Sequence, residues 1–293
     1  MSTLSLADSL PEKSIGAALA PLDATRLSWS RLEYSATKFF LSVRTAAEIV
    51  PRHSQQLRTE LIAPTRGDPK FPVGPEAYEL TLATNGVGTD ALIRVWFDDY
   101  GSVLQRSSLY SGKKQWYRVY RYTSDGAYSL KKRPRENERG STHEGWTDTT
   151  EDFYPYTQPR DGLLITEGEV IFYLLAMAPL RDVGDTFEFL VFSTHGLDLA
   201  RLTVREVTTF PIDVVEQSAQ GEQALDTDVD ALLLTLHAQP YNYSSDANQF
   251  EFLGLRGDID IMLDAVTHIP LRVTGQVDYL GEVNINLRRI VKK

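Results

Sequence analysis

The side chains able to do chemistry are many in this sequence, but their spacing assembles no known reaction centre. The five histidines, His53, His143, His195, His237 and His268, include no pair four apart, the spacing that sets two imidazoles on one helix face for a metal. There is no cysteine, which removes disulfides, thiolate nucleophiles and cysteine zinc sites. No Gly-x-Ser-x-Gly nucleophile elbow is present, and Ser193-Thr-His195 alone defines no hydrolase. Asp and Glu together number 40, but spacing does not show which of them converge, so acid/base catalysis stays open.

Two apparent motifs fail on their physics. Gly86-Val-Gly88-Thr-Asp-Ala91 fits a dinucleotide fingerprint, yet the residues after it alternate like a strand. A pyrophosphate site needs a helix N-terminus there. Asp226-Thr-Asp228-Val-Asp230 starts like a calcium loop, but Ala231 stands where glycine must make the turn and His237 where a glutamate must chelate. Asp258 and Asp260 share one side of a strand and read as a polar sheet face. The sequence therefore implies no metal and no cofactor, and leaves the catalytic residues undefined.

Charge supplies the sharpest local signal. The chain carries a formal net charge of −10, which argues against nucleic acid as a general partner. Yet residues 113–139 hold nine basic side chains against three acidic ones, interleaved with Trp116, Tyr117, Tyr120, Tyr122 and Tyr128. Lys113, Lys114, Arg118, Arg121, Lys131, Lys132 and Arg133 are the candidates for contact with an anionic membrane surface or an acidic protein. A solvated hairpin paired with the acidic remainder explains the same residues.

The elements that position these groups are mostly strands. Tyr78–Ala83, then Asn85-Gly86, then Ala91–Phe97 reads as a hairpin. Gln115–Thr123 and Ala127–Lys132 continue a meander, and 258–263, 271–275 and 283–287 alternate cleanly near the end. Trp29 to Val50 reads as one long strand whose change of parity implies a β-bulge. One helix is predicted over 167–178: Thr166 with Glu169 three places on resembles a capping box, the following run is almost wholly apolar, and Pro179 ends it. Residues 1–25 read as a flexible tail, 26–293 as a single antiparallel β domain, and 134–162 as a long polar excursion.

The start, Met1–Leu22, lacks the basic and apolar regions of a signal peptide. The expectation is a cytoplasmic protein, or a periplasmic one if the start codon is misassigned.

Asp264-Ala-Val-Thr-His-Ile-Pro270-Leu-Arg272, followed by Gly281-Glu-Val-Asn-Ile-Asn-Leu287, resembles the closing strands of a bacterial family of unknown function, DUF3108. Its members look like relatives of the LolA/LolB lipoprotein carriers. The resemblance implies a mainly β fold, a curved antiparallel half-barrel enclosing one buried helix, with an interior able to accept acyl chains.

On that basis the chain reads as a non-catalytic binding or carrier module for a hydrophobic small molecule or lipid held on the concave sheet face. Alternatives are an enzyme of lipid or small-molecule metabolism using the same cavity, and a scaffold that docks an acidic partner through 113–139. Candidate ligand-lining residues are Phe39, Leu41, Val95, Phe97 and Phe172, together with Leu175, His237, Ile261, Leu263 and Val283. Converging polar groups in the pocket would favour the enzyme, and a wholly aliphatic pocket the carrier.

Overall fold

A computed structural model of the chain describes residues 14–16, 26–39, 41–86, 88–112, 114–157, 159, 162–241, 243 and 250–293. Among them sixteen strands join one sheet. A short parallel strand, β1 (Ser14–Gly16), lies at one edge; the remainder of the expected tail over 1–25 falls outside the described residues, apart from β1. Eight strands then form an antiparallel meander in chain order: β2 (Trp29–Lys38), β3 (Leu41–His53), β4 (Glu76–Gly86), β5 (Thr89–Asp98), β6 (Val103–Gly112), β7 (Trp116–Tyr122), β8 (Gly126–Arg133) and β9 (Asp148–Pro155). After β10 (Ile165–Thr166), a second meander runs through β11 (Thr186–Ser193), β12 (Gly196–Ser218), β13 (Gly221–Pro240), β14 (Arg256–Asp264), β15 (Pro270–Val277) and β16 (Gly281–Lys292).

β16 pairs antiparallel with β2, so the two meanders become one surface. β12 and β13 form an arm that extends past its neighbours, and Val215–Gln217 of β12 pair in parallel with Arg289–Val291 of β16. The other two flanks of the sheet meet through aromatic side chains. Phe192 on β11 lies 5.4 Å from both Tyr120 and Tyr122 on β7, ring centre to ring centre, at the steep angles that edge-to-face packing prefers. The fold is a large curved antiparallel sheet, as expected.

Among the described residues there are two short α-helices, α1 (Ser54–Glu60) and α2 (Ile171–Met177), the latter entered through a 3-10 turn at Gly168–Val170. All seven residues of α2 are buried inside the curve. Phe172 meets Tyr34 and Phe252, and Tyr173 meets Tyr78 and Phe97. Arg26 donates to the carbonyls of Met177 and Ala178, satisfying helix-end acceptors that burial would otherwise leave unpaired.

Three sequence expectations need correction. Trp29–Val50 is two strands joined by a tight turn with Phe39 at φ 54°; the parity change is a chain reversal, not a bulge. The 134–162 excursion contains β9, which pairs residue by residue with β8. The 167–178 helix begins only at Ile171, and its capping box does not form: the N-cap has no side-chain bond and Thr166 Oγ1 has no partner.

Candidate functional site

The cavity follows from a mismatch of lengths. Seven helical residues span about 10 Å, whereas the ten to thirteen residues of β2, β3 and β5 each span more than about 30 Å. Helix α2 can therefore cover only part of the concave face. Where it does, Ala47, Ile49, Leu80, Val95 and Phe97 are fully or almost fully buried. Where it does not, Leu41, Val43, Thr84, Ala91 and Ile93 on the same strands line a cavity of about 530 Å³. Ala36 on β2, the cross-strand partner of Val43, and Val283 and Ile285 on β16 continue the lining across the sheet, and the loop 251–255 borders the same space. That loop is held by a bridge between Phe252 and Leu255, with Leu253 and Gly254 in left-handed conformations at φ 56° and 78°.

One end of the cavity is ionic. Arg106 on β6 points inward and donates to Glu169 through Nε at 3.2 Å and Nη2 at 2.8 Å, and to Ser108 Oγ at 2.6 Å. Glu167 sits 3.8 Å from the same guanidinium and accepts a short hydrogen bond from Tyr122. Arg106 and Glu169 line the main cavity, and with Glu167 they also border an adjoining polar one of about 120 Å³.

Burial governs the protonation here. It pushes the Glu167 carboxyl up to about 7, against the pull of Arg106. Glu169 feels the same burial, but the direct Arg106 ion pair outweighs it and holds that carboxyl below its usual range. Burial likewise opposes the charge on Arg106, and the two glutamates overcome it. The outcome is an ion pair beside a carboxyl that titrates near neutrality, all in a poorly hydrated wall. Such a group can donate or accept a proton.

The expected ligand-lining residues divide. Leu41 and Val283 line the cavity. Val95, Phe97, Phe172, Leu175, Ile261 and Leu263 are fully buried core, packed around or beside the helix. Phe39 is 77% exposed at the tip of the β2–β3 turn, because the reversal there throws its side chain outward. His237 is exposed and bonds Asp258 at 2.6 Å across β13 and β14, on the solvent face. Neither Phe39 nor His237 reaches the cavity.

Among the basic candidates, Lys113 lies outside the described residues and Lys114 is exposed. Arg121 is buried at 1% exposure, and its guanidinium donates to the carbonyls of Ile62, Leu104, Tyr122 and Lys70. It ties the 62–70 segment to the sheet and presents nothing to an anion. Lys132 donates to the Glu144 carbonyl at 3.4 Å, and Arg133 is exposed. Arg118 and Lys131 are cross-strand partners on the concave face.

The residues that sequence reasoning missed are Arg106, Tyr122, Glu167 and Glu169 as a group. A signal existed: two glutamates around one glycine, immediately before an unbroken apolar run. Two carboxylates committed to the interior need a buried cation, and the sequence does not say which of 30 basic residues supplies it.

Fold and site together define a curved-sheet protein with one short internal helix and a largely aliphatic cavity ending in a buried ionic cluster. Comparison with protein-family models, with curated proteins and with solved structures gives no match. Among the described residues no helix is long and apolar enough to cross a membrane.

Proposed function

We propose that this chain is a binding or carrier module that holds a hydrophobic, lipid-like ligand on its concave face. The observation carrying this reading is the apolar hollow of about 530 Å³ left beyond the end of α2. Its volume lies within the roughly 300–1,000 Å³ of small-molecule sites. Each methylene buried there contributes about 0.8 kcal/mol, so a medium alkyl chain needs few polar contacts to bind.

Native mass spectrometry of the protein purified from its own host tests the reading. The expected result is a co-purifying lipid-sized mass that disappears in the Val283→Trp variant, whose indole fills the hollow. Wild-type protein that purifies empty and binds no long-chain alkyl probe would overturn it.

A second reading, an enzyme acting on the bound ligand, is favoured by Glu167, a carboxyl pushed up to about 7 at the border of the polar recess. If Glu167 transfers a proton, the ligand carried by Glu167→Gln will differ in constitution from that carried by the wild type, read by chromatography with fragmentation so that isomers of equal mass are separated. The same single compound in both proteins would dismiss catalysis.

A further inference from the structure

The cavity wall does not stop at Tyr110. That residue lines the hollow and stacks on Trp116 of the next strand, ring centres 4.2 Å apart and planes 17° from parallel. Two cations flank the indole on the same face: Arg118 Cζ lies 5.8 Å and Lys131 Nζ 5.6 Å from the ring centre. Register explains why they gather. Ser108, Arg118 and Lys131 are direct partners across β6, β7 and β8, so their side chains form one row on the concave face.

Among the described residues, this pair of cations lacks the carboxylate partner that several cations of the protein have. Arg31, Arg52, Arg106, Arg201, Arg256 and Arg289 each have a carboxylate within ion-pair distance. Arg118 and Lys131 have none among the described residues. Arg118 donates to the Tyr120 hydroxyl at 2.8 Å, and its Nε is buried with no hydrogen-bond partner. The Lys131 ammonium is held below its ordinary range by burial and then by repulsion from Arg118 and Arg133, against the pull of Asp152. Two adjacent, partly desolvated cations with no direct ion pair repel each other, and an anionic group placed between them would relieve that repulsion.

We infer that the ligand is an anionic amphiphile: its alkyl tail occupies the hollow, and its carboxylate or phosphate head lies on the Trp116 shelf between Arg118 and Lys131. This assignment rests on the ligand-binding reading above and names the chemistry of the ligand. Arg118 offers planar N–H donors suited to two oxygens of the head, and Lys131 offers a point charge. The aromatic pair Tyr110–Trp116 is the apolar bridge over which the first methylenes pass.

Calorimetric titration of the full chain with dodecanol, dodecanoate, dodecyl phosphate, dodecyltrimethylammonium and inorganic phosphate tests it. The two anionic amphiphiles should bind about tenfold or more tighter than dodecanol, the size expected from charge-assisted hydrogen bonds. Raised salt should narrow that gap, and the cationic amphiphile should bind most weakly. In the double variant Arg118→Gln/Lys131→Gln the advantage of the anions should vanish while dodecanol affinity, which reports an intact hollow, stays the same. Equal affinity for dodecanol and the anions, or an advantage that survives the double variant, overturns the head-group assignment alone. Inorganic phosphate binding as tightly as dodecyl phosphate overturns the tail's part in it. Failure of every dodecyl compound to bind overturns the ligand-binding reading itself.

Discussion

The Glu167→Gln variant removes the titration of one buried carboxyl and leaves the ionisable groups remote from it unchanged. Glutamine keeps an oxygen for the Tyr122 hydroxyl and about the same volume, but it cannot ionise. In the wild type the folded-state value is pushed up to about 7 by burial, from an ordinary 4.5. A carboxyl raised in this way holds its proton more tightly folded than unfolded. Its contribution to stability is therefore fully present below about 4.5, falls as pH rises, and is lost once pH passes about 7. At roughly 1.4 kcal/mol per unit, the loss across this window is about 3 kcal/mol. Glu167 is only 7% exposed, so solvent screens little of it. Urea unfolding at a series of pH values from about 4.5 to 8 gives the free energy for both proteins, and groups remote from Glu167 cancel in the difference. Wild-type stability minus variant stability should drop by about 3 kcal/mol over the series, most steeply between about 5 and 7. Parallel profiles would show that Glu167 ionises in the folded state as easily as in the unfolded one, and the argument from burial would fail.

Other substitutions probe separate parts of the same account. Arg106→Met leaves Glu169 and Glu167 without their cation and should cost about 3–5 kcal/mol, measured by chemical denaturation at neutral pH. Gly126→Ala places a Cβ 2.6 Å from the Tyr154 carbonyl oxygen, a backbone atom that cannot swing aside; a loss of about 1–3 kcal/mol should appear as a lowered Tm. Tyr34→Phe removes the buried 2.9 Å bond to the Pro270 carbonyl and should cost about 1–3 kcal/mol in the same assay, because that acceptor is left dry.

How much of this was legible in the sequence depends on the range of the interaction. The β4–β5 reversal was visible at Asn85-Gly86, although the strands extend to Gly86 and Thr89, so the turn falls just beyond the dipeptide. The buried helix was visible as an apolar run, since seven residues whose only polar side-chain group is the Tyr173 hydroxyl must be covered on almost every side. Its start was misread because Thr166 and Glu169 match a local capping pattern, whereas Glu169 answers to Arg106, 63 residues away. The hollow was invisible for a related reason. Leu41 and Ile49 lie on the same face of the same strand with similar chemistry, yet one lines empty space and the other is core. What separates them is where α2 ends, which no local pattern along β3 encodes. Phe39 fails similarly: alternation placed it in a strand, but the chain turns back at that residue.

The pairing of β2 with β16 has a consequence for biosynthesis. Asn286 sits opposite Ser35, so partners separated by about 250 residues must find each other late. On the ribosome, the β2–β9 meander can form while the rest of the chain is still being made. Throughout that time β2 keeps an unpaired row of amides and carbonyls and an apolar flank that includes Leu32 and Tyr34. An exposed edge of this kind recruits other strands. Nascent chains are therefore most prone to stick together after β9 emerges and before β16 does, and holdase chaperones should engage the protein most strongly in that interval.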